Sequence, residues 1–254
     1  MRRIFLIVAF VAMAFTAQAW TKVVDDASYL IAEKYMTDAA KAECARILGM
    51  KDYVEYKWVT DKDAKVSLDV DLRSITTDEK DIVVRIEKAV EMLRNRANCS
   101  DVEQYAALMN LKKLIIELHT ISHIAIEGID HSQSDFEFTW SSGKEGSKKY
   151  EKRGTLTWRK MWSGSFCFWH QGWSSEYYAY DINLRFNKIA ARTMQGSVRD
   201  WAHEIGLRAK SIYEWVVPGM LMRYEPRLNL EDVHLEMVAS SAYRLAALLN
   251  EIVK

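Results

Sequence analysis

Residues 100–128 read SDVEQYAALMNLKKLIIELHTISHIAIEG, and how far this run stays helical decides what the chain can do. Ser100, with Glu103 three residues on, has capping-box spacing, in which hydroxyl and carboxylate each satisfy a free N–H of the first turn. Leu108, Leu111, Ile115 and Leu118 follow at three- and four-residue spacing, so a helix is predicted from Ser100 at least to His123. No proline interrupts the run, and the helix is expected to continue to Glu127. On such a helix His119, His123 and Glu127 recur every four residues and lie within about 80° of one another. Two imidazoles and a carboxylate on one face make a candidate metal site; the plainer alternative is two histidines hydrogen-bonded to neighbours.

Working outward, the same periodicity predicts a helix over Ala27–Leu48, stopped by Gly49. Another opens at Asp78-Glu79 and carries Ile82, Ile86, Ala89, Val90 and Leu93. Later helices are predicted over Ile182–Met194, Val198–Val216 and Leu228–Val253, with Pro218 and Pro226 bracketing the loop between the last two. The exception is Asp130–Tyr180, where Asp135–Trp140 alternates with a period of two and Trp140, Trp158, Trp162, Trp169 and Trp173 gather. That stretch reads as a long excursion with one short hairpin, and such excursions often form a binding wall or lid. Trp158, Trp162, Trp169, His170 and Trp173 are its candidate wall residues, suited to stacking on a single-stranded nucleic acid or a small aromatic or apolar ligand. The plainer reading is that these rings pack the excursion onto a helical core.

Two prolines and ten glycines in 254 residues leave little turn chemistry for an all-β chain. The fold class read from this is all-α, in one domain. Arg2 and Arg3, the apolar run Ile4–Phe15 and Ala17-Gln18-Ala19 form an export signal, with cleavage expected after Ala19 and a mature domain of 20–254. Basic and acidic residues balance at 35 each, and losing Arg2 and Arg3 leaves the mature chain at −2. That argues against a generally basic nucleic-acid binder. Cys44, Cys99 and Cys167 are an odd number, so at most one disulfide forms and at least one thiol is left over. Neither a phosphate-cradling Gly-rich loop nor a Cys-x-x-Cys pair is present, and Ser163 and Ser165 flank Gly164 with no evident acid–base partner.

Several segments, taken in order, resemble one family. Trp20 follows the cleavage site. Ile31-Ala32-Glu33, Met36-Thr37, Ala40-Lys41 and Ile47-Leu48-Gly49 form the first helical region. Trp201-Ala202-His203-Glu204 is similar to a Trp-Ala-x-Glu helix, and Ala242-Tyr243-Arg244-Leu245-Ala246-Ala247-Leu248-Leu249-Asn250 to a terminal Ala-Gly-x-Arg-Leu-Ala-x-Leu-Leu-Asn. The chain resembles the secreted zinc-dependent nucleases of the S-one/P-one type, which share an all-helical fold with bacterial zinc phospholipases C.

The resemblance implies a cleft in which His and Asp side chains, with the amine and carbonyl of the terminal tryptophan, hold zinc ions that activate water and clamp phosphate. Laid on the family's pattern without gaps, the three ligand places of the middle helix hold Ile116, Thr120 and Ile126. The next pair is replaced by Trp158 and Trp162, the first-helix histidine by Asp25, and a further histidine falls near Leu68. An aspartate place falls at Thr60, with Asp61 one step away. Trp20, Asp25 and Asp61 are therefore the vestigial metal-binding candidates. The expectation is a non-catalytic relative without a bound cofactor. Two alternatives stay open. One is a metal-dependent phosphodiester hydrolase whose zinc is held by His119, His123 and Glu127, with Asp25 or Asp61 opposite. The other is a binding module in a cleft walled by Trp158, Trp162, Ile116 and Ile126.

Overall fold

The computed structural model describes residues 21–49, 65–68, 80–142, 153–166 and 172–253. The expected signal segment, Trp20, Asp61, Cys167, Trp169 and His170 lie outside the described residues. The described chain is mostly helical, as its periodicity predicts. Its principal helices are α1 (Lys22–Tyr35), α2 (Asp38–Leu48), α3 (Ile82–Arg94), α4 (Asp101–Leu118), α5 (Ser175–Phe186), α6 (Val198–Tyr213) and α7 (Tyr224–Ile252). Short helical turns connect several of them. The strands are β1 (Val66–Leu68), β2 (Ile124–Ile126), β3 (Glu137–Ser141), β4 (Arg153–Thr157) and β5 (Leu221–Met222).

Helix starts follow local chemistry. Ser100 and Glu103 form the predicted capping box, and Ser197 with Asp200 forms a second at the head of α6. Asp81 accepts from the Val83 N–H at 2.8 Å and from the Ser67 N–H at 3.0 Å, so one buried carboxylate caps α3 and ties it to β1. The helix expected over Ala27–Leu48 is two helices. Met36 has extended backbone, and Thr37 restarts the chain as the N-cap of α2, accepting from Ala40 N–H. Asn250 of α7 holds this break: its Oδ1 accepts from Thr37 N–H at 2.7 Å and its Nδ2 donates to Tyr35 O at 2.9 Å.

Other boundaries also differ from the sequence reading: α3 begins at Ile82 on its Asp81 cap rather than at Asp78-Glu79, and the helix expected over Ile182–Met194 stops at Phe186, followed by a 3-10 turn Asn187–Ile189 and a short helix Ala190–Thr193. Helix α4 ends at Leu118 rather than running to Glu127; a 3-10 turn over Ile121–His123 leads into β2, which pairs in parallel with β1. Helix α5 begins at Ser175, earlier than expected, because the Ser174 hydroxyl caps it. Pro226 does not bracket a loop: it sits in the first turn of α7, where its missing N–H would have had no helical partner. The expected hairpin is present, β3 and β4 pairing antiparallel with Phe138 opposite Leu156, and β5 adds a parallel edge to β3.

The 29-residue α7 is the hub, with α1 and α5 packed on it while α3 packs on α4. Its buried positions occur on nearly every side, as expected of a helix surrounded by others. Ser241 and Ser28, both buried, share a 2.9 Å hydrogen bond that joins α7 to α1. Among the described residues no helix is long and apolar enough to cross a membrane.

Candidate functional site

The early end of α4 separates the three residues expected on one face. His119 becomes the C-terminal cap of α4, His123 closes the following 3-10 turn, and Glu127 lies exposed beyond β2. The three therefore share no helix face, and the relocated site built on them loses its geometric basis. After the 3-10 turn, Ile124-Ala-Ile126 takes extended structure because β1 offers its backbone a parallel partner, with Glu127 N–H donating to Leu68 O at 3.0 Å.

His119 is fully buried and both ring nitrogens are engaged. Nε2 lies 3.0 Å from Arg244 Nη1, and a guanidinium only donates, so Nε2 is the acceptor and the proton sits on Nδ1. From there it bonds to Ile115 O at 2.6 Å. Burial, reinforced by the Arg244 charge, holds this imidazole well below its ordinary pKa and keeps it neutral. Neither nitrogen is left for a metal. Arg244 also donates to Thr193 O at 3.3 Å and to the Glu204 carboxylate, and its guanidinium lies 5.3 Å from the Trp201 ring centre. Trp201, Glu204 and Arg244, drawn from two separate sequence motifs, thus meet around His119.

A second polar group lies between α1 and the end of α4. Glu117, buried in the last turn of α4, places Oε2 at 2.6 Å from His123 Nδ1 and Oε1 at 3.7 Å from Lys113 Nζ. Asp25, on α1, faces the same carboxylate. Its Oδ1 is shielded from solvent and has no hydrogen-bond partner among the described residues. Burial first, then repulsion from Glu117, pushes the Asp25 carboxyl well above the usual carboxylate range, with Lys113 opposing. Sequence reasoning singled out Asp25 and His123 but missed Glu117. The available signal was one acid inside the apolar run Leu114-Ile115-Ile116-Glu117-Leu118. Among the described residues no three of His, Cys, Asp and Glu converge closely enough to hold a metal ion.

The positions expected to have lost ligands are packed shut. Ile116, Ile126, Trp158 and Trp162 are each at most 2 % exposed. Thr120 spends its hydroxyl on Ile116 O at 3.0 Å. Trp158 stacks on Phe136 and meets Trp162 edge-on, and its Nε1 donates to Tyr213 Oη at 3.2 Å. Trp162 continues the series to Phe166 and His234. The cleft wall expected from Trp158, Trp162, Ile116 and Ile126 is therefore core, because these large apolar surfaces gain more from packing on one another than from solvent. Trp173 is half-buried and packs edge-on against Tyr177 and Tyr178. Cys44 and Cys99 are free thiols.

No family model matches this chain, and no curated protein matches it.

Proposed function

We propose that the chain is an exported, non-catalytic relative of the zinc-dependent S-one/P-one-type nucleases, with one helical domain following a cleaved signal. The order of the sequence motifs supports the relationship, as does the junction where Trp201 and Glu204 meet Arg244. Loss of catalysis is carried by one observation: where that family places imidazoles and carboxylates, this chain has Ile116, Ile126, Trp158 and Trp162, all buried among apolar neighbours.

Among the described residues, the donors that remain do not fit zinc. His119 is committed to Arg244 and Ile115, and Glu127 stands apart. Glu117 already faces His123 and Lys113. A hydrolytic zinc site needs typically three protein donors and an open position for water, and among the described residues Asp25 has no two further donors beside it to complete one.

Metal content and turnover test the proposal together. Protein purified without a histidine tag, exposed to excess zinc and dialysed, is expected to retain zinc only at background. It should leave single-stranded DNA intact, with the Asp25→Asn variant run beside it to expose contaminating nuclease. Stoichiometric zinc, together with DNA cleavage that disappears in Asp25→Asn, overturns the proposal in favour of an active phosphodiesterase.

A further inference from the structure

Helices α1, α2, α4 and α7 leave a cleft of about 260 Å³ between them. Its walls are largely hydrocarbon, with Met36, Leu48, Leu108 and Leu249 prominent. Two lysines also line it, Lys112 from α4 and Lys41 from α2. Lys112 is half-buried, and its Nζ sits 4.1 Å above the centre of the Tyr29 ring. Neither lysine has a carboxylate within ion-pair distance among the described residues, although ion pairs are frequent elsewhere on these helices. Burial lowers the Lys112 pKa, as expected of a cation partly withdrawn from water, while the more distant Cys44 and Asp26 push the other way. A ring face offsets part of that cost, and an anion would offset more.

We propose that this cleft binds a small amphipathic monocarboxylate, its carboxylate between Lys112 and Lys41 and its apolar body along Met36, Leu48, Leu108 and Leu249. The charge pattern selects the class. An apolar ligand without charge would leave the buried ammonium unpaired, and a dication or a cationic amphiphile would add repulsion. Glu33, exposed at the rim, disfavours polyanions by the same logic and leaves room for one negative charge. The cleft lies just below the usual range of ligand pockets, ~300–1,000 Å³, which favours a single short aliphatic chain or one aromatic ring over a phospholipid. The inference does not depend on the nuclease relationship, because none of these residues belongs to the positions compared there for zinc ligation.

Titration calorimetry with decanoate, below its aggregation concentration and at low salt, tests it. Decanoate is expected to bind saturably, and decanol roughly tenfold or more weaker, about 1.4 kcal/mol. The Lys112→Met variant keeps the apolar stem and removes the charge, so it should fold normally and bind the two amphiphiles alike. Cys44 provides a second readout, since it lines the cleft while Cys99 does not. Burial raises the Cys44 thiol to about 11, so alkylation by iodoacetamide is slow and is followed over a long incubation near neutral pH, where Lys112 stays an ammonium, with peptide mapping. Decanoate should slow alkylation of Cys44 and leave Cys99 unchanged. No saturable binding, equal affinity for decanol and decanoate in the unaltered protein, or undiminished decanoate affinity in a folded Lys112→Met variant would each overturn the proposal.

Discussion

Arg244 Nη1 donates to His119 Nε2 across 3.0 Å, joining residues 125 apart in the sequence and fixing the histidine as a neutral acceptor. The same guanidinium reaches Thr193 O and the Glu204 carboxylate, so one side chain, 1 % exposed, ties α7 to the end of α4 and to α6. The arrangement is asymmetric. Glu204 is 68 % exposed in its side chain, while its partner is buried.

That asymmetry sets the first prediction. Arg244→Met removes every one of these bonds and leaves the buried His119 acceptor unpaired, a loss of about 1–3 kcal/mol from that group alone. Glu204→Gln keeps an acceptor at the solvent edge and should cost about 1 kcal/mol. Urea denaturation separates the two. Equal, small losses would mean that the guanidinium is not the anchor of this junction.

The protonation state of His119 gives an acid limit. Its folded pKa lies well below 6.5, so the unfolded chain takes up the proton first as pH falls. The stability it contributes is full above about pH 6.5 and is lost below that, towards the folded value. His119→Gln should flatten the stability profile between about pH 6.5 and 5 while lowering stability at neutral pH. A profile as steep as that of the unaltered chain would assign the acid sensitivity to another group.

Asp25 has the opposite sign. Its folded pKa is raised, so the unfolded chain releases its proton first, and stability declines as pH rises from about 3.8 through the folded pKa. Asp25→Asn removes the charge and the repulsion from Glu117. The variant should melt a few degrees higher than the unaltered chain at pH 7 and gain little near pH 4. A lower melting temperature at pH 7 would show that the carboxylate has a partner that stabilises its charged form.

What the sequence revealed, and what it hid, follows from range. The capping box at Ser100 and Glu103, the alternation over Asp135–Trp140 and the apolar spacing of α3 are local, and each appears in the fold where the chain predicted it. The end of α4 is not local. Ile124–Ile126 is apolar enough to extend a helix, and it becomes a strand because Val66–Leu68, far earlier in the chain, supplies parallel backbone partners. The break at Met36 was half visible, since Thr37-Asp38 is an N-cap pattern inside an otherwise continuous periodic run. At the candidate site, Asp25 and His123 could be named from sequence. Their common neighbour Glu117 shows locally only as a single acid inside the apolar run Leu114–Leu118; that it meets Asp25 and His123 depends on the packing of α1 against α4. The fate of His119 depended on an arginine in the last helix, and that of Trp158 on a tyrosine in α6.

Tyr213 supplies the last prediction. Its hydroxyl accepts from Trp158 Nε1 at 3.2 Å and points its own proton at the Ile121 carbonyl, 3.0 Å away, with Ile124 O at 3.3 Å. One oxygen thus bridges the aromatic layer to the backbone that carries the chain from α4 into β2. Burial raises the Tyr213 pKa, so the bridge keeps its proton throughout the physiological range. Tyr213→Phe preserves the ring but orphans the Trp158 indole N–H in the core, while Ile121 O keeps the Ile124 N–H, at a cost of about 1–3 kcal/mol. Pairing it with Trp158→Phe removes the donor as well, so the double variant should lose less than the sum of the two single losses. Chemical denaturation of the four proteins gives that coupling directly. Strict additivity would mean that the Trp158–Tyr213 hydrogen bond contributes nothing, and that the indole is held by ring packing alone.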